Sequence, residues 1–336
     1  MRIALKPVPE QVMLITGASS GIGLATAELA ARRGARVMLV ARSREGLAHA
    51  VDRIAAAGGK AAFAVADVTR PGELARAADA AVERFGTIDT WVNCAGVAIY
   101  AKLLDTPEAE HRRLFDTNYF GMVEGCRVAV RHLRDKGGAL ITIGSIASDL
   151  PAPILSAYAA SKHAVKAYVE ALRQELAADG VPISVTLIKP AGIDTPIAQH
   201  AANHGAGALQ GEALVPPPLY APELVAEAIC DAAAHRRRTI TVGGAGRANV
   251  LIGVHFPQLI EWLAPLLMRG LFDPARPATP GDTLFRAGGT AETRSRHEHP
   301  RETSLYTLAQ RHRLVAAGIG LAGAALAGAW ARRRTA

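Results

Sequence analysis

Cysteine is scarce. Cys94, Cys126 and Cys230 are an odd, widely spaced set with no C-x-x-C pair, which excludes a disulfide framework and a zinc site and predicts a reducing compartment. Aromatics are scarce too, at 5% of the chain, and no basic run is interleaved with them. The formal charge of +8 therefore has no base-stacking surface to serve, and no nucleic acid partner is expected. Lysine is rare beside arginine, 7 against 31, which in so alanine-rich a chain reads as the codon usage of a GC-rich bacterial source. The opening MRIALKPVPEQVMLITG lacks the apolar length and cleavage pattern of a signal peptide, so the bulk of the protein is expected in the cytoplasm.

What is present is hydrophobic: half of the 336 residues, enough for one large domain with a substantial core. From about residue 11 to 245, apolar runs of strand length (VMLITG, RVMLVA, AAFAVAD, TWVNCAG, GALITIGS, ISVTLIKPAG, TITVGG) alternate with helical patterns, among them one long helix around 107–135. Strands bounded by glycine and joined by helices predict βαβ crossovers, hence an α/β fold with a doubly wound Rossmann-type parallel sheet of about seven strands over residues 10–245. An apolar helical extension is expected over 246–272, a Pro/Gly/Thr-rich linker or surface arm over 273–304, and a C-terminal apolar helix over 305–336.

The first strand runs into TGASSGIG, residues 16–23, which opens a helix. Glycines there let backbone amides approach a pyrophosphate, and the helix N-terminus adds partial positive charge. Gly17, Ser19, Ser20, Gly21, Ile22 and Gly23 are thus candidate dinucleotide-binding residues. An acidic residue about twenty positions on would hold the ribose hydroxyls of NAD; LVARSRE offers Arg42 instead, suited to a 2′-phosphate, so NADP(H) is expected over NAD(H).

Further along, SAYAASKHAV sets Tyr158 and Lys162 four apart, one turn above the other on a helix face. A neighbouring ammonium lowers a phenol pKa of about 10 toward the range useful for proton transfer. Ser145, thirteen residues before Tyr158, lies just beyond a strand, at the sheet edge where α/β folds bind ligands.

Together these motifs resemble the short-chain dehydrogenase/reductase family: TGASSGIG matches its TGxxxGxG, NCAG at 93–96 its NNAG, and Asn118 in FDTNYFG its helix asparagine. The resemblance spans about residues 10–245 and implies an NAD(P)-dependent oxidoreductase. Hydride exchange would occur at the nicotinamide, with Tyr158 as proton donor, Ser145 bonding the carbonyl oxygen, Lys162 holding the ribose and lowering the tyrosine pKa, and Asn118 anchoring a water. It further implies that Asp67 and Val68 meet the adenine, that Asn93, Ala95 and Gly96 wall the adenosine, and that Pro190, Ile193 and Thr195 orient the carboxamide. No metal is implied. Two departures stand out: Ala191 where the family's Pro-Gly has glycine, and Cys94 in place of an asparagine, read as a small buried thiol.

Residues 199–221, glycine-rich and then proline-rich, occupy the place of the family's substrate lid and offer no cationic cluster, so the partner expected is an uncharged, lipophilic small molecule. A homo-oligomer, dimer or tetramer, is implied as well. The uncharged LVAAGIGLAGAALAGAW, residues 314–330 between arginine clusters, gives a helix of roughly 25 Å, at the short limit for a hydrocarbon core of about 30 Å. It is read as an attachment to the cytoplasmic side of a membrane, spanning or interfacial, with packing on the protein as the alternative. A membrane-attached NAD(P)-binding scaffold without turnover is the competing function, disfavoured by the intact tetrad.

Overall fold

The computed structural model describes residues 3–205, 209–277, 283–288, 291–295 and 300–311. The alternation read from the sequence becomes β1 (Val12–Thr16), α1 (Gly21–Arg32), β2 (Arg36–Ala41), α2 (Arg44–Ala56), β3 (Lys60–Val65), α3 (Glu73–Phe85) and β4 (Thr90–Asn93). The second half adds α4 (Glu108–Phe115), α5 (Gly121–Leu133), β5 (Gly138–Ile143), α6 (Ser156–Ala178), β6 (Ile183–Pro190), α7 (Ile197–His200), α8 (Pro222–Ala234) and β7 (Thr239–Val242). The seven strands form one sheet in the order β7-β6-β5-β4-β1-β2-β3. Every pairing within it is parallel.

Side chains alternate across each strand, so the apolar runs feed two cores. Met13, Ile15, Leu39 and Ile141 meet α1, α2 and α8 on one face, while Leu14, Met38, Trp91 and Leu140 meet α3, α5 and α6 on the other. Strand order reverses at β1, which pairs with both β2 and β4, and the crevice beyond that switch point is where open α/β sheets take ligands.

Three places differ from the sequence reading. The expected long helix is interrupted at Asp116–Phe120 by a π-helical turn, a local widening that periodicity does not register. The lid segment is stitched down: Ala202–Asn203 pairs in parallel with Ile99–Tyr100, and Glu212–Ala213 pairs antiparallel with Phe272–Asp273. Described parts of the arm pack on the domain, with Leu284 and Ala291 both buried.

Between these, α9 (Gly244–His255) and α10 (Pro257–Arg269) form a helical pair broken where Pro257 follows Phe256. The last described element, α11 (Leu305–Arg311), docks on β7 and α8: Gly243 N donates to Thr307 Oγ1 at 3.0 Å, and Arg311 pairs with Glu227 at 2.8 Å. Residues 314–330, expected to attach to a membrane, lie outside the described residues. Among the described residues no helix is long and apolar enough to cross a membrane.

Candidate active site

One cavity of about 360 Å³ opens along the carboxyl edge of the sheet. Its nucleotide end is built by backbone. Gly17 sits at φ +68° in the turn after β1, and a Cβ there would lie 2.7 Å from Ala95 Cα; one on Gly23 would lie 2.3 Å from Gly17 O. Only glycine permits that approach. Thr16 Oγ1 ties the two loops, accepting from Cys94 N at 3.0 Å and Ala95 N at 3.2 Å. The turn carries Ser19, Ser20, Gly21 and Ile22 onto the cavity wall, opposite Ala95 and Gly96.

Arg42, Asp67 and Val68 line the same wall. The Asp67 carboxylate is already engaged: Thr69 N and Oγ1 donate to it at 3.0 and 2.8 Å, and Arg113 Nη2 at 2.7 Å. Burial would raise its pKa, but those bonds hold it below the usual carboxylate range. Asn93 stands behind the wall, where its side chain accepts from Trp91 Nε1 at 2.8 Å and donates to Cys126 Sγ at 3.3 Å.

At the other end, Ser145 leaves β5 and caps a short 3-10 turn, its hydroxyl accepting from Ala147 N at 3.1 Å. Tyr158 and Lys162 follow on α6, with Lys162 Nζ 5.6 Å from the phenol ring centroid and donating to Ile143 O at 2.9 Å. Burial pushes the Tyr158 phenol up to about 12, against a partly offsetting effect of the Ser145 hydroxyl. Burial brings the Lys162 ammonium down to about 8. The depressed tyrosine pKa expected from the sequence is therefore not what this arrangement produces: the ammonium is turned toward a backbone carbonyl, and desolvation prevails over helix spacing. At neutral pH the phenol holds its proton.

Asn118 sits in the π turn, buried, with Nδ2 donating to Val97 O (2.9 Å) and Ser161 Oγ (3.1 Å) while Oδ1 accepts from Val97 N (2.8 Å). Its side chain braces the loop after Gly96 against α6. Pro190, Ile193 and Thr195 line the cavity between its two ends. The shifted glycine of KPAG has a reason: a Cβ on Gly192 would meet Pro216 O at 2.6 Å. Cys94 is a thiol that burial pushes up to about 12, consistent with an inert filler.

Sequence reasoning missed one tie. Asp149, four residues past Ser145, accepts from Lys166 of α6 at 2.6 Å and from Lys189, next to Pro190, at 2.5 Å. One carboxylate thus joins the segments bearing Ser145, Tyr158 and Pro190, yet its partners lie 17 and 40 residues away and leave no short-range pattern.

Comparison with known proteins agrees with this geometry. The family model for short chain dehydrogenases matches residues 11–205. An uncharacterised oxidoreductase of Bacillus subtilis, YxnA, is 38% identical over 323 residues, covering 95% of this chain and 90% of its own. The 11-beta-hydroxysteroid dehydrogenase A of Arachis hypogaea is 33% identical over 268 residues, covering 77% of this chain and 76% of its own. Among solved structures, a short chain dehydrogenase/reductase from Burkholderia phymatum in complex with NAD superposes with a TM-score of 0.67 at 29% identity, covering 74% of this chain and 94% of that one. A glycine turn closed against the NCAG segment, a serine, tyrosine and lysine at one sheet edge, and a match over more than half the chain have one explanation: this protein belongs to the short-chain dehydrogenase/reductase family and is an NAD(P)-dependent oxidoreductase of hydroxyl and carbonyl groups.

Proposed function

We propose that the enzyme reduces a ketone or aldehyde on a lipophilic small molecule, using NADPH in preference to NADH. The observation that carries this reading is Tyr158, with Ser145, on a cavity whose neighbouring walls are apolar, among them Ile146, Leu155, Ile197, Val215 and Pro216. The nucleotide fits the chain: a cradle that any Cβ at Gly17 or Gly23 would fill, a helix N-terminus, and Arg42 on the wall for a 2′-phosphate. When bound, it supplies the hydride. Tyr158 Oη gives its proton to the carbonyl oxygen and Ser145 Oγ donates a hydrogen bond to that oxygen. Lys162, one turn beyond Tyr158 on α6, holds the nucleotide ribose. Asn118 keeps α6 in register with the loop after Gly96, and Asp67 and Val68 flank the adenine.

Nucleotide oxidation followed across a panel of lipophilic ketones and aldehydes tests the activity. NADPH should give the higher kcat/KM, and Arg42→Asp should move the preference toward NADH. Better use of NADH by the unaltered enzyme overturns the cofactor reading.

The reading extends to a lipid surface. Helices α9 and α10 expose several large apolar side chains, with Trp262 76%, Leu266 69% and Phe256 62% exposed. Gly246 and Asn249 of α9 line the cavity, and Met268 of α10 packs into the cluster that holds Tyr158. A lipophilic substrate would therefore have a short path from bilayer to phenol, and the uncharged 314–330 segment adds a second contact. The full chain should float with anionic vesicles, while a chain ending at Arg311 and carrying Trp262→Ser and Leu266→Ser should not. Equal behaviour of the two removes this part. Homo-oligomerisation, usual in the family, is read by light scattering.

A further inference from the structure

Residues 283–295, where described, run across the nucleotide end of the cavity. Arg42 Nη1 donates to Leu284 O at 3.1 Å, and its Nη2 donates to Thr283 O. Arg113, which also holds Asp67, donates from Nε to the same Leu284 carbonyl at 2.9 Å. Gly21 N, the first amide of α1, donates to Glu292 O at 2.9 Å. Two anchors hold this segment down. The Leu284 side chain is 1% exposed, in a cluster with Val97, Leu114 and Tyr158, and Thr283 Oγ1 donates to His200 O of α7 at 2.8 Å. Thr283 and Gly288 face the same cavity as Ser20 and Arg42.

The guanidinium and the first helical amide are the donors assigned above to phosphates. A carbonyl and a phosphate seek the same N–H groups, and the phosphate, carrying charge, makes the stronger bond. We infer that this segment is a strap whose Thr283 and Leu284 carbonyls compete with a nucleotide 2′-phosphate for Arg42, so that the strap sets how strongly the enzyme prefers NADPH over NADH. The inference rests on the reading of Arg42 as the 2′-phosphate reader. NADH has no group to claim Arg42 and leaves that grip intact; NADPH must break or share it. The tie at Gly21 affects both nucleotides alike and cancels in their ratio.

Fluorescence titration of the full chain with NADPH and with NADH measures that ratio. Leu284→Ser, which removes the buried anchor, should raise Kd(NADH)/Kd(NADPH) by about fivefold or more, the low end of ordinary coupling between sites. Thr283→Val, which removes only the hydroxyl tie to His200, should raise it by a smaller factor. Neither change should survive in an Arg42→Met background. An unchanged or lowered ratio in both variants overturns the strap, because the segment then either ignores the 2′-phosphate or helps to bind it. Should Leu284→Ser fail to fold, as judged by its melting curve, Thr283→Val decides alone. If Arg42→Met by itself leaves the ratio unaltered, the reading of Arg42 fails and the strap with it; if Arg42→Met moves the ratio and the strap variants do not, the strap alone fails.

Discussion

The nucleotide end of the cavity is made from the ends of long parallel strands, whereas the substrate end is made from two-residue strand pairs and a helical pair with an exposed apolar face. At the first, Gly17, Thr16 and Ala95 meet through backbone and one hydroxyl, so beyond the glycines' missing Cβ atoms little depends on side-chain size. At the second, Tyr100 meets Phe272 edge to face with ring centroids 6.2 Å apart and donates to Leu214 O at 3.1 Å, so nearly everything does. A site for a shared cofactor can be held by the regular sheet. A site for one particular substrate is assembled from segments that change without disturbing that sheet.

The sharpest break in this comparison is Tyr158→Phe. It should cost more than about a hundredfold in turnover, in line with general acid catalysis worth roughly 10² to 10⁴, while NADPH still binds in a fluorescence titration. Next comes pH. Lys162, brought down to about 8 by burial, loses its ammonium as pH rises through that value, and kcat/KM for the nucleotide reports the free enzyme, so it should fall about tenfold per pH unit above 8. A profile flat to pH 9.5 would show that the charge does not matter. A smaller effect is expected at the other end: Phe272→Ala should raise KM for the carbonyl substrate several-fold and leave KM for the nucleotide alone, whereas a parallel rise in both would show that the two ends are not separable.

The smallest effect concerns Asp149, which ties the segments bearing Ser145 and Tyr158 to that bearing Pro190. Burial alone would raise its pKa, but Lys166 and Lys189 hold it below the usual carboxylate range. A depressed carboxylate contributes stability that is present above its unfolded pKa of about 3.9 and is lost as pH falls through the lower folded value. The melting temperature should thus decline below about pH 4, and less steeply in Asp149→Asn.

How far the sequence could be read follows the same division. Strand and helix periodicity, the glycine turn and the Ser145, Tyr158 and Lys162 set were legible because each is written in residues close together or in a known order. The π turn at Asp116–Phe120 was not, since its apolar spacing passes for ordinary helix. The stitched lid was not, because two-residue strands carry no periodicity at all. Arg42 lines the cavity, but its contacts with Thr283 and Leu284 come from 241 and 242 residues away, beyond any local pattern. The tyrosine pKa was misjudged because spacing along a helix says nothing of burial.

The strap also bears on how the protein is made. Its partners on the domain are Arg42, Arg53 and Gly21, and the last strand of their sheet, β7, ends at Val242, about forty residues before Thr283. At roughly 5 to 20 residues per second those forty residues take about 2 to 8 seconds. Through that interval the glycine turn has its sheet but lacks its cover, and a cellular dinucleotide can reach it before the strap does. A contact of such long range forms last and adds little to the speed of folding. A newly made glycine turn is thus open on its nucleotide side for as long as the chain beyond β7 takes to be made.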